Sequence, residues 1–185
     1  MDQRVQLSDG TAAVIHPYLP VSRAAIEDAY AHLSPASQFH RFLTAVPYLT
    51  DSMLHHLVDD IDGVDHIALV LVLEPDAGAD SIIGVARMIR YQDRPTAADV
   101  AVTIRDEWHG RGAATALLDA LVRHRPEGVN RIVTVVADDN PASLAMLRRL
   151  GETTVTPTDR GTSDVVVDLD QEPERPSMDS GAPRE

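Results

Sequence analysis

The chain has 185 residues, 44% of them hydrophobic, a formal net charge of −13 and no cysteine. That length and apolar content suit one domain with one sizeable core, and the absent cysteines exclude disulfides, thiolate metal sites and a cysteine nucleophile. So acidic a balance, in which all 16 basic residues are arginine, argues against nucleic acid as a partner; it would help attract a cationic substrate such as a lysine side chain or polyamine, although solubility is the larger reason for it. The longest apolar run, Ile67 to Leu73, falls far short of the ~20 residues that a membrane helix requires. The N-terminus, Met1-Asp2-Gln3-Arg4, lacks a signal-peptide apolar region, so a soluble cytoplasmic protein without a membrane partner is expected.

Residues Gly10 to His16 predict a first strand. From Val21 to Leu33, the stripe Ile26, Ala29, Tyr30, Leu33 predicts a helix that Ser34-Pro35 interrupts. A second short helix is expected with Phe39, Phe42 and Leu43 inward. Asp51 is the expected N-cap of a third, whose Met53, Leu54, Leu57 and Val58 face the core. His66–Leu73 and Ser81–Arg90 read as strands, with Pro75-Asp76-Ala77-Gly78 as the loop between them. Asp99 to Ile104 alternates as a half-buried strand, and Leu117, Leu118, Leu121 and Val122 then recur at helical spacing. Arg131–Ala137 is a buried strand, Pro141–Leu150 a helix closed by Gly151 as a C-cap, and Thr153–Thr156 and Asp164–Leu169 are two short strands. Residues 8–170 form the expected domain. Residues 171–185 carry three prolines and several charges, the composition of a disordered tail.

The segment most informative about function joins the Asp99–Ile104 strand to the helix after it. Gly110, Gly112, Ala113 and Ala114 leave its backbone uncovered. The helix begins near Gly112 or Ala113, where the first N–H groups lack intrahelical partners and sit at the positive end of the macrodipole. Such a start binds anions, phosphate above all. A dinucleotide fingerprint would need a third glycine where Thr115 stands in Gly110-x-Gly112-x-x-Thr115, and a P-loop would need a lysine. An ordinary strand-to-helix turn is the structural alternative.

The turn His109-Gly110-Arg111-Gly112-Ala113-Ala114 resembles the acyl-CoA signature of the GCN5-related N-acetyltransferases, Gln/Arg-x-x-Gly-x-Gly/Ala. Gly112 and Ala114 match it, and His109 replaces the usual Gln or Arg. The element order of residues 8–170 is also similar to that family's. The resemblance therefore implies an α/β fold with a mixed, mostly antiparallel sheet, helices on both faces and a splayed central parallel strand pair. It implies acetyl-CoA as co-substrate, held by Gly110, Arg111, Gly112, Ala113, Ala114 and Thr115, with Asn140 and Ser143 at the pantetheine arm. The residues themselves read more simply: Asn140 is an N-cap and Pro141 sits at the first helical position. Both roles are compatible, because a cap uses only part of an amide's bonding capacity. Leu33-Ser34-Pro35-Ala36-Ser37-Gln38-Phe39-His40-Arg41-Phe42 and Gly84-Val85-Ala86-Arg87 are closest in wording to bacterial protein lysine acetyltransferases. Members of that subgroup are often fused to a sensor domain, for which this chain is expected to have no room.

Acetyl transfer to an amine needs a neutral nitrogen. Deprotonating a lysine of pKa ~10.4 at neutral pH costs about 4–5 kcal/mol, and a nearby carboxylate lowers that cost. The family's base is a glutamate early in the signature strand; Asp99 occupies that place, one methylene shorter, and is expected to work through water. Backbone N–H groups from Val102 to Ile104 would hold the oxyanion. The family's tyrosine acid is missing, since Leu147 stands at its position. Eight histidines are scattered, and His55-His56 show no ligand spacing, so no metal is expected. The acceptor implied is an amine, a protein lysine ahead of a small amine, and a homodimer stays open. A non-catalytic acyl-CoA-binding regulator of the same fold is the alternative.

Overall fold

The computed structural model describes residues 2–17, 23–74 and 82–171. Eight strands form one sheet: β1 (Gln3–Gln6), β2 (Ala12–Pro17), β3 (His66–Leu73), β4 (Ile82–Arg90), β5 (Ala97–Ile104), β6 (Arg131–Ala137), β7 (Glu152–Pro157) and β8 (Thr162–Asp168). Their order is β1-β2-β3-β4-β5-β6-β8-β7, antiparallel except for β5 and β6. A parallel pair needs a crossover, and α4 (Ala113–Arg123) supplies it. This is the expected mixed sheet, extended by β1, which the sequence reading did not anticipate. The expectation for the tail lies, apart from Gln171, outside the described residues, as does the Pro75–Gly78 loop.

The alternating side chains of β5 divide the molecule. Ala98, Val100, Val102 and Ile104 pack with Leu117, Leu118 and Leu121 of α4, and Leu147 of α5 (Pro141–Arg148) joins the same core. Ala101, Thr103 and Arg105 face the other way, toward Tyr30, Leu33 and Phe42. That face carries α1 (Arg23–Ala31), α2 (Pro35–Phe42) and α3 (Asp51–Leu54), held by a second cluster of Ile26, Tyr30, Leu33, Leu49 and Leu54.

Four local expectations change. Thr50, not Asp51, caps α3, its hydroxyl accepting from the Met53 amide at 3.3 Å. The helix then loosens into a π-helical turn over His55–Asp59. Phe39 points outward, 42% exposed, whereas Phe42 packs edge-on against Tyr30. Gly151 is not a left-handed cap: α5 ends at Arg148, and a Cβ on Gly151 would lie 1.9 Å from the Asp168 carbonyl oxygen. Close approach of β8 is what requires a glycine there.

Candidate active site

Parallel pairing of β5 with β6 is confined to Ala97↔Arg131 and Ala98↔Ile132; beyond it the strands splay. The Tyr91 amide donates to the Ala97 carbonyl and the Arg105 amide to that of Ile83, which fixes the odd-numbered backbone groups of β5 toward β4. By alternation, the amides and carbonyls of Val100, Val102 and Ile104 point into the gap. The Thr134 hydroxyl sits 3.4 Å from the Val100 carbonyl oxygen, and His109 Nε2 lies 2.9 Å from that of Ile104. These two contacts bracket the gap-facing edge, with the Val102 amide between them.

At the end of β5 the chain makes two left-handed steps, Gly110 at φ 73° and Gly112 at φ 81°, before α4 begins. Side chains other than glycine's are strained there. Gly112 is the N-cap of α4 and offers no side-chain hydrogen bond, so the amides of the first turn remain uncapped. These residues open onto a cleft of about 770 Å³ lined by Val102, Ile104, Gly110, Gly112, Ala113, Ala114, Thr115, Asn140 and Ser143. Nine of the ten expected cofactor residues are thus brought together. Arg111 is the exception. Its guanidinium pairs with Asp9 at 3.0 Å and lies 4.6 Å over the Trp108 ring, bracing the turn against the β1–β2 hairpin, whose Ser8 amide donates to the Arg111 carbonyl. Arg149, unanticipated, lines the cleft with no ion pair among the described residues.

Asn140 caps α5, accepting from the Ser143 amide at 3.1 Å through its Oδ1, which leaves its NH₂ for the cleft. Across the opening, His40 Nε2 lies 2.9 Å from Asp139 Oδ1. Asp106 ties the anion turn to α2, accepting from the Ser34 amide and from the Ser34 and Ser37 hydroxyls at 2.9, 2.7 and 2.8 Å. Burial alone would raise the Asp106 carboxyl, but these hydrogen bonds hold it below the usual carboxylate range.

A second pocket of about 400 Å³ continues the cleft through the splay, sharing His40, Arg41, Val102, Asn140, Ser143 and Met146 with it. Asp99, Tyr91 and Thr134 line this half, and Leu147 stands at its wall. Burial pushes the Asp99 carboxyl up; the Thr134 hydroxyl, the Val100 backbone and the Arg41 charge pull against it. Tyr91 donates its hydroxyl to the Val133 carbonyl at 3.1 Å, and burial, with Asp99 nearby, keeps that phenol protonated. The sequence reading singled out neither Arg41, Tyr91 nor Thr134 as site residues, because they reach the pocket from α2, the β4–β5 connection and β6.

Glycines, bare amides, a splayed strand pair and a buried carboxylate thus meet in one continuous cavity. The sequence profile of the Acetyltransferase (GNAT) domain matches residues 19–153, and the chain belongs to that family: it is an N-acetyltransferase domain. It is 30% identical over 148 residues to Acetyltransferase Pat of Mycolicibacterium smegmatis, an alignment covering 80% of this chain and 43% of that protein. The chain thus spans less than half the length of that relative. The GNAT domain of S. lividans PAT shares the fold with a TM-score of 0.78 at 24% identity, over 91% of this chain and 97% of that one. So does yncA from Salmonella typhimurium, solved with its cofactor acetyl-CoA, with a TM-score of 0.65 at 20% identity over 88% and 98%. Among the described residues no helix is long and apolar enough to cross a membrane.

Proposed function

We propose that this domain transfers the acetyl group of acetyl-CoA to an amine, a protein lysine ahead of a small amine. The observation that carries the reading is the continuity of the glycine-lined cleft with the Asp99 pocket through the β5–β6 splay. Amides of the first turn of α4 suit a pyrophosphate, and Arg149 adds the charge that Arg111 spends on Asp9. The Asn140 NH₂ and Ser143 suit the amide-bearing pantetheine arm. Acetyl-CoA supplies the acyl group when bound. The Val102 amide is aimed to donate to the carbonyl oxygen, where charge develops.

Asp99 takes the proton that the acceptor ammonium must lose. Burial makes it a stronger base than an exposed carboxylate. Its short side chain leaves room for a relaying water. No phenol stands at Leu147 and Tyr91 is committed to Val133, so thiolate departure relies on solvent. The resemblance of Leu33–Phe42 and Gly84–Arg87 to bacterial protein lysine acetyltransferases favours a protein acceptor. The test is a CoA-thiol release assay over a panel of amines and lysine-bearing proteins. The chain contains no lysine, so label on its own side chains cannot obscure transfer. Turnover that rises with pH until the amine is neutral is expected. A folded, CoA-bound sample that acetylates nothing in the panel supports the non-catalytic regulator instead.

A further inference from the structure

Arg41 is the one guanidinium that borders the cofactor cleft, the acceptor pocket and the small apolar cavity of about 60 Å³ under α1–α3 alike. It sits in the last turn of α2, half-buried, with its guanidinium carbon 4.8 Å from the Phe42 ring centroid. Among the described residues it makes no ion pair and no side-chain hydrogen bond, and no carboxylate lies within 4.0 Å. A guanidinium keeps its charge in proteins, and burying it without an anion is costly. Burial works against that charge; the charge of Asp99, across the pocket, supports it without touching it.

The pocket is therefore bipolar, with a carboxylate on β5 and an unpaired planar fork on α2. One anion-accepting position is left open beside the site where the amine loses its proton. A fork of this kind matches a carboxylate through two parallel hydrogen bonds. We propose that Arg41 is a specificity-determining residue that receives a carboxylate carried by the acceptor, while Asp99 faces the acceptor's amine. The preferred acceptor is then an amine with an acid beside it. That acid is either the α-carboxylate of a free amino acid or an acidic side chain flanking the target lysine of a protein. The inference rests on the acetyltransferase reading of the same pocket.

Matched acceptors test it. L-lysine is compared with cadaverine, and a peptide bearing Asp-Lys with the same peptide bearing Asn-Lys, using wild-type protein, Arg41→Met and Arg41→Lys. Wild-type kcat/KM should favour the acid-bearing member of at least one pair by roughly 10- to 100-fold, the worth of a hydrogen-bonded charge. Arg41→Met should collapse that preference through the acceptor's KM, and Arg41→Lys should keep part of it. The KM for acetyl-CoA should stay within about twofold in both variants, on the premise that the cofactor is held by the α4 turn. Preference in the first pair alone identifies free amino acids, and in the second alone a protein acceptor. Equal wild-type rates within both pairs overturn the proposal, and so does an Arg41→Met that slows both members equally, which would make Arg41 a support for Asp99. Calorimetric titration of the same pairs into CoA-loaded protein reads the inference without turnover: equal affinities within both pairs overturn it. Absence of acetyl transfer with such a binding preference intact would instead strike the catalytic reading.

Discussion

The proposed cofactor half of the cavity exposes bare backbone at Gly110, Gly112, Ala113 and Ala114, whereas the proposed acceptor half sets the side chains of Asp99 and Tyr91 in a largely apolar wall, and Arg41 borders both. Two aspartates seven positions apart show what this difference does. Asp106, beside the turn, is surrounded by donors from Ser34 and Ser37 and is held low; Asp99, at the splay, is desolvated and pushed up. The same carboxyl serves as a structural clamp in one place and as the proposed base in the other. Their neighbours, and not the residue type, set the role.

The largest expected effect attacks the backbone half. Ala114→Asp places a carboxylate where the uncapped amides of α4 await an anion, and like charges in contact cost several kcal/mol. Acetyl-CoA affinity should fall by more than roughly 10²-fold by calorimetry, while the fold survives because an acid suits the start of a helix. Gly112→Asp should also lose binding, with added backbone strain at φ 81°. Binding by Ala114→Asp within threefold of wild type would remove the α4 turn as the cofactor site.

Next comes the base. Asp99→Asn should cut turnover by about 10²-fold with acetyl-CoA affinity unchanged, since the proposed cofactor cleft lies in the other half. Because the folded Asp99 carboxyl binds its proton at higher pH than in the unfolded chain, stability rises as pH falls through the folded value. Ionised Asp99 is thus a cost at neutral pH, and Asp99→Asn should melt higher at pH 7 although it works worse. The acid limb of the wild-type pH–rate profile should lie above the ordinary carboxylate range and vanish in the variant. Full activity of Asp99→Asn from pH 6 to 9 would exclude it as the base.

The smallest effect belongs to the clamp. Asp106→Ala removes the acceptor for three donors and should destabilise the fold by about 1–3 kcal/mol in denaturant unfolding. The sign with pH is opposite to that of Asp99. A depressed folded pKa gives stability that is present above the unfolded value and lost as pH falls through the folded one. The gap between wild type and Asp106→Ala should therefore close in acid. A gap that persists unchanged at low pH would mean that the carboxylate's charge contributes nothing to the clamp.

What the sequence by itself determined rests on interactions within a few residues of one another. Periodicity marked β3 to β6 and α4, small residues marked the anion turn, and Asn140-Pro141 marked a cap that the Ser143 amide completes. The element order and the motif together identified the splayed fold, and nine of the expected cofactor residues line one cleft. Even local reading slipped where neighbours compete: Thr50 and Asp51 are both competent caps, and only the backbone direction chose between them. Tertiary structure alone decided the rest. Arg111 sits in the glycine turn before α4 yet pairs with Asp9, 102 positions away, and Gly151 answers to β8 instead of its own helix. Arg41, Asp99 and Thr134 come from three separate elements and Tyr91 from the connection between β4 and β5, and nothing in their local sequence announces that they meet. Backbone sites are encoded by what short segments can adopt; side-chain sites arise from long-range juxtaposition, which only the folded sheet and its packed helices supply.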